Sequence, residues 1–166
     1  MQLVAGANLV LNGSDVHIKI KTGMPQHVGL DVTSYILAVT NNKVRGDADM
    51  IFYGQKQTAN RSVELIESTS KSPFEASFKI NTQALDASVG KVAICATIDS
   101  QVAINALQNI TLELWVGGQL AATAVVNSVE KTEKALILAE VYNHKGTWKF
   151  RFVNQGFNGG LQPLAE

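Results

Sequence analysis

Apolar and polar residues alternate with a period of two over several stretches of the chain. Val16, Ile18 and Ile20 interleave with His17, Lys19 and Lys21, and Phe74, Ala76, Phe78 and Ile80 interleave with Glu75, Ser77 and Lys79. Ile110, Leu112, Leu114 and Val116 do the same against Thr111, Glu113 and Trp115. Successive side chains of a strand point to opposite faces, so each stretch predicts a half-buried β-strand. Gly117-Gly118 then joins that last run to Leu120, Ala122, Ala124 and Val126, the spacing of a hairpin closed by a two-residue primed turn. Trp148, Phe150 and Phe152 repeat the pattern after the turn-like Asn143-His144-Lys145-Gly146.

Other stretches are apolar without alternation: Tyr35 to Val39, Met50 to Tyr53, Val92 to Ile98 and Ala135 to Val141. Their β-branched content predicts central strands covered on both faces. One short helix is predicted over Asn81 to Ser88, capped by Asn81 or Thr82 and ended by Gly90. About ten short strands with turn signals every 8–12 residues predict an all-β fold, a β-sandwich of two mainly antiparallel sheets with one or two short helices. There is no internal repeat and no linker, so residues 1–166 read as a single domain.

Composition narrows the function. With 166 residues and 46% hydrophobic side chains, one core can form without disulfide or metal, burying roughly 70% of the unfolded surface. The 14 basic and 14 acidic residues balance, and only three are Arg, which argues against nucleic-acid binding. No apolar run approaches the ~18 residues of a transmembrane helix. Met1-Gln2-Leu3-Val4 has no signal-peptide character, so the expected location is the cytoplasm, with membrane association at most peripheral.

Catalytic patterns do not stand out. His17, His27 and His144 fit a strand's outer face, a loop and a hairpin turn, and no Gly-x-Ser-x-Gly elbow, HExxH, CxxC or Walker loop is present. Gly156, Gly159 and Gly160 lack the strand–helix context of a phosphate loop and are expected in tight turns. Cys95, inside an apolar run, is expected to be a buried hydrophobe. Arg45-Gly46-Asp47 spells an adhesion tripeptide, and Asn12, Asn60 and Asn109 open glycosylation patterns; both are coincidences for a cytoplasmic chain. Trp115, opposite Leu114 in its strand, is expected on an outer face, either as a contact patch or as an amphipathic ring at a sandwich edge.

Asn41-Asn42-Lys43-Val44-Arg45-Gly46-Asp47-Ala48-Asp49-Met50-Ile51-Phe52-Tyr53 resembles the central motif of the TerD family of bacterial tellurium-resistance and stress-response proteins. Ala5-Gly6-Ala7-Asn8-Leu9-Val10-Leu11 resembles the family's opening, and Leu30-Asp31-Val32-Thr33-Ser34-Tyr35-Ile36-Leu37 its Leu-Asp-Ala-Ser-Ala-Phe-Leu-Leu segment. The end, Ala139 to Leu161 with Glu140, Tyr142, Gly146, Trp148, Phe150, Arg151, Gly156 and Phe157, is similar to the family's ending nearly position by position. The resemblance covers essentially the whole chain. It implies a β-sandwich and a non-enzymatic binding or scaffolding role in resistance to tellurite, chemical or phage stress. It also implies other tellurite-resistance or stress proteins as partners, at the inner face of the membrane or in the cytoplasm.

The family commonly binds Ca²⁺ through an Asp- and Gly-rich loop after the Phe-Tyr strand. Here Gly54 to Ser72 carries Ser and Thr around Lys71 in place of that acidic cluster, and Lys19 to Gly23 and Gly29 stand where members carry carboxylates. Ca²⁺ wants about 6–8 oxygen ligands, so no cofactor is expected, and Asp31, Asp47 and Asp49 are the residual candidates for a weak calcium site. The alternatives are a divergent calcium site or a small-ligand sandwich in which Ser68 to Ser72 is a mobile lid.

Overall fold

A computed structural model describes residues 2–23, 30–41, 43–71, 74–98, 103–128 and 131–157, with the backbone alone described at 68–71, 74 and 157. Among the described residues twelve strands run in chain order: β1 (Gln2–Leu3), β2 (Asn8–Val10), β3 (Asp15–Thr22), β4 (Leu30–Ala38), β5 (Met50–Ile51), β6 (Val63–Lys71), β7 (Phe74–Asn81), β8 (Val89–Ile98), β9 (Ile110–Val116), β10 (Gln119–Val126), β11 (Ala135–His144) and β12 (Thr147–Phe157). They form two six-stranded sheets, β1-β10-β9-β3-β7-β6 and β2-β12-β11-β8-β4-β5. All neighbours are antiparallel except β1 and β10.

The alternating stretches become strands of the first sheet, with β12 in the second. Val16, Ile18 and Ile20 of β3 are fully buried, as are Phe78 of β7 and Ile110 of β9. They pack into one core with Val92, Ile94, Leu136, Leu138, Phe150 and Phe152 from the second sheet. Water on one face of each strand and core on the other is what the period of two encodes. The Gly117-Gly118 hairpin forms as expected, both glycines at positive φ (59° and 82°), the geometry whose twist matches that of the flanking strands.

The continuous apolar runs of β4, β8 and β11 are covered on both faces. Outside the main core, Tyr35, Leu37, Ala93, Cys95, Ala135 and Ile137 make a second buried cluster on the far side of the second sheet. Val44 and Met50, from the segment that follows β4, pack against it, as does Val153 of β12.

Three expectations are corrected. Met50 to Tyr53 is not a central strand: Met50–Ile51 pair with β4 at the sheet edge, Phe52 bridges Gln55, and Tyr53 lies exposed in the turn between them. Asn81 to Ser88 is not a helix. The Asn81 and Asp86 carboxamide and carboxylate oxygens accept the backbone N–H groups of Gln83 and Ser88, two residues on, and these local bonds hold the chain in turns. Among the described residues, single-turn 3-10 helices sit instead at Asp47–Asp49 and Ile104–Ala106. Gly156 is not in a tight turn but in β12 opposite Leu136, where a Cβ would collide with the Glu133 carboxylate. His27, Gly29, Gly159 and Gly160 lie outside the described residues.

Candidate functional site

The segment that resembles the family's central motif leaves β4, folds back through the bridge Leu37–Val44, and enters the Asp47–Asp49 turn before β5. Its organising group is Arg45. The guanidinium meets Asp49 as a fork, Nε to Oδ2 at 2.7 Å and Nη2 to Oδ1 at 2.8 Å, and the backbone N–H of Arg45 donates to the same Oδ2 at 2.9 Å. Nη1 reaches across to the turn before β8, donating to Asp86 Oδ2 at 2.6 Å and to Ser88 Oγ at 2.7 Å. A planar fork of fixed donors suits this double engagement, which a lysine could not reproduce.

Burial differs across the lock. The Asp49 side chain keeps 7% of its accessible surface, Arg45 36% and Asp86 59%. Asp86 is held down to a pKa of about 2, first by the hydrogen bonds of Ser88 and then by Arg45. The same carboxylates keep Arg45 charged beyond its ordinary range.

Beside the lock lies a cleft of about 300 Å³ bordered by Ile36, Arg45, Asp49, Asn60, Ser62 and Asp86. Its polar groups are bonded to one another: Thr58 Oγ1 to Asn60 Oδ1 and Ser62 Oγ at 3.0 Å each, and Asn60 Nδ2 to the Ala84 carbonyl at 2.8 Å. Past β5, Gln55 ties the Asp47–Asp49 turn to the strand, its Nε2 donating to the carbonyls of Asp47 at 2.8 Å and Met50 at 2.7 Å.

The three residual metal candidates do not converge. Asp47 and Asp49 share one 3-10 turn, Asp47 exposed and Asp49 held by Arg45. Asp31 lies in β4 opposite Thr97. Met50 pairs with Tyr35, and from there the 3-10 turn continues away from Asp31, so at ~3.3 Å per strand residue the two places are more than about 13 Å apart along the sheet. Among the described residues no group of three or more His, Cys, Asp or Glu side chains is arranged to hold a metal ion. Of Ser68 to Ser72, expected as a lid, Ser68–Lys71 have the backbone of β6 and Ser72 lies outside the described residues.

The segment similar to the family's ending has its own polar cluster, on the outer face of the second sheet. Glu140 of β11 stands 3.1 Å from Lys91 Nζ of β8 and 3.8 Å from Arg151 Nη1 of β12, and the Arg151 guanidinium lies 4.7 Å over the Tyr142 ring. Cys95, on the same face, is fully buried, and burial followed by the Glu140 charge pushes its thiol pKa far up. His17 lies on the outer face of β3, and His144 ends β11, exposed, just before the Lys145-Gly146 turn. Sequence spacing does not reveal the roles of Asp86 and Ser88, which stand 41 and 43 residues from Arg45.

Comparison with known proteins agrees with this architecture. The TerD domain family matches residues 1–166. Tellurium resistance protein TerD of Alcaligenes sp is 33% identical over 149 residues, covering 84% of this chain and 77% of its own length. Tellurium resistance protein TerA of Alcaligenes sp is 37% identical over 117 residues, 70% of this chain, so that only a third (33%) of that longer relative is matched. Among solved structures, the SCO6318 homologue of telluride resistance protein from Streptomyces coelicolor A3(2) superimposes with a TM-score of 0.70 at 18% identity, covering 89% of this chain and 92% of its own. SAV2460, a protein of unknown function, does so with a TM-score of 0.74 at 14% identity, covering 92% and 95%. The chain belongs to the TerD family.

Proposed function

We propose that this protein is a non-enzymatic stress-response component of the tellurite-resistance type, a binding or scaffolding module whose partners are other tellurite-resistance or stress proteins. Its place of action is the cytoplasm, free or at the membrane's inner face; no described helix is long and apolar enough to cross a membrane. The relatives' names supply the resistance role. The observation that carries the binding role is the make-up of the motif segment. Its Arg45 and Asp49 are spent on each other, whereas Val39, just before it, and Tyr53, at its end, are 65% and 63% exposed. What this surface offers is therefore contact area rather than reactive groups.

The donor set at the motif does not suit Ca²⁺. Both Asp49 oxygens accept from a guanidinium that would be repelled by a cation, and Asp31 is too distant to complete a shell. Weak or absent calcium binding follows. Thermal unfolding in EDTA and in ~1 mM Ca²⁺ tests it, since a site with a ~10 μM dissociation constant would add ~2.7 kcal/mol. That is a rise of roughly 5–10 °C, and the expected shift is none. The scaffold role is tested by co-purification with TerA- and TerD-type proteins from tellurite-stressed cells. Loss of those proteins with Val39→Ser and Tyr53→Ala supports it, and recovery of neither protein from the unaltered chain counts against it.

A further inference from the structure

The outer face of the first sheet carries a polar hollow that the motif segments do not touch. In the register of β9, β3 and β7, Trp115, His17 and Lys79 are direct neighbours in one row, and Glu113, Lys19 and Ser77 form the next. Directly paired residues have Cβ atoms about 5 Å apart and diagonal ones about 7–8 Å, so Lys19 and Lys79 both stand next to His17 on this face. The hollow, about 270 Å³, is bordered by Asp15, His17, Lys19, Lys79, Trp115 and Gly118.

Its charges are unevenly spent. Glu113 is engaged by Lys21 at 3.7 Å and by the Trp115 indole N–H at 3.0 Å. Lys19 Nζ instead lies 4.9 Å over the Trp115 ring, and neither it nor Lys79 makes an ion pair among the described residues. Beside them the Nε2 atom of His17 is buried without a hydrogen-bond partner. Two ammonium groups without an ion pair, beside a buried imidazole nitrogen without a hydrogen-bond partner, leave the hollow with uncompensated positive charge and an unmet polar atom.

We propose that this hollow binds a small oxyanion, of the phosphate or tellurite class, between the Lys19 and Lys79 ammonium groups beside the Trp115 ring. The carboxylates nearby oppose it only in part. Asp15 borders the hollow, Glu64 of β6 lies beyond Lys79 in the register, and Glu113 is already paired. The Trp115 ring supplies a wall that excludes water on one side and strengthens the electrostatic attraction.

His17 reports occupancy. Burial, then Lys19 and Lys79, lower its pKa, and Asp15 opposes them. An anion between the lysines cancels their repulsion, so binding raises the His17 midpoint and tightens as pH falls toward that midpoint. This inference does not depend on the scaffold role and has its own test.

Isotope-labelled protein is titrated with sodium phosphate and, separately, with sodium tellurite, against sodium chloride at equal ionic strength. The His17 imidazole and Trp115 indole signals are followed. The expected result is a saturable shift confined to these groups and their row, an upward His17 midpoint, and roughly tenfold weaker binding in Lys19→Ala and in Lys79→Ala. The amide spectrum of each variant verifies the fold. Saturation by phosphate alone assigns the site to phosphorylated small molecules, and saturation by tellurite alone assigns it to that ion; either upholds an oxyanion site. Shifts no larger than those of chloride overturn the proposal, as does undiminished affinity in the Lys19→Ala, Lys79→Ala double variant.

Discussion

Replacing Arg45 by alanine removes the fork on Asp49 and the tie to Asp86 and Ser88 together. The magnitude follows from burial. The Asp86 arm is exposed, and pairs of that kind contribute ~0.2–1 kcal/mol. The Asp49 arm differs, because its carboxylate keeps only 7% of its surface and would retain a single donor, the Arg45 backbone N–H. Breaking a fully buried pair costs ~3–5 kcal/mol. With Arg45 itself about a third exposed, water screens the loss, and the expected destabilisation is about 2–3 kcal/mol. In urea melts this lowers the midpoint without changing the slope, and in a thermal scan it lowers Tm by roughly 5–10 °C. Arg45→Lys keeps the charge but loses the fork and should fall between. In an Asp49→Asn background the cost of Arg45→Ala should drop to about 1 kcal/mol, since no buried charge is left stranded. A loss below about 0.5 kcal/mol for Arg45→Ala would refute the reasoning, placing the lock with ordinary surface ion pairs.

Other consequences are open to simple measurement. Asp86, held at about pH 2 against an ordinary 3.8, contributes stability that is present above pH ~4 and lost as pH falls from there through 2; Asp86→Asn should flatten that part of the pH–stability curve, and carbon NMR of the carboxyl should give the low midpoint directly. Cys95 should be inert to a thiol reagent in the native protein and react at once in denaturant, because its thiolate is disfavoured by burial. Phe78→Ala, at a fully buried site, should cost about 3–5 kcal/mol in chemical denaturation. Lys145 sits at φ 54° ahead of Gly146, so Lys145→Gly should stabilise by about 0.5–1 kcal/mol, and unchanged or lowered stability would mean that the turn carries no strain.

The strands legible in the sequence are those whose burial differs between faces or is complete on both. The alternation at Val16–Ile20 and Ile110–Val116 marks one wet face, and the unbroken run Val92–Ile98 reflects the second buried cluster on the sheet's far side. β1, β2 and β5 are two or three residues long and carry no period of their own. They are strands only because distant partners pair with them. The polar clusters were hidden for the same reason. Arg45 reads locally as part of Arg-Gly-Asp, and Asp49 is its neighbour one turn on, but Asp86 and Ser88 reach it only through the fold. Lys19 and Trp115 look like the solvated sides of two separate strands until the β3–β9 register sets them in adjacent rows. Asn81 to Ser88 misled because the same Asn and Asp residues that can cap a helix also bond their own backbone in turns.

The placement of β1 and β2 bears on how the molecule assembles in time. Residues 2–10 belong to both sheets, β1 beside β10 in one and β2 beside β12 in the other, so each sheet joins an outer strand to a neighbour that follows it far along the chain. Ribosomes add roughly 5–20 residues per second, so β1 and β2 wait on the order of ten seconds before their partner strands are made. Pairings of such long sequence separation also place the chain among slow folders, because loop closure must precede the contacts that reward it. The β6–β7 and β9–β10 hairpins can form early, whereas the closing edges form last. Until then β10 and β12 each present an open hydrogen-bonding side, and chaperone dependence during synthesis should exceed that of the finished protein.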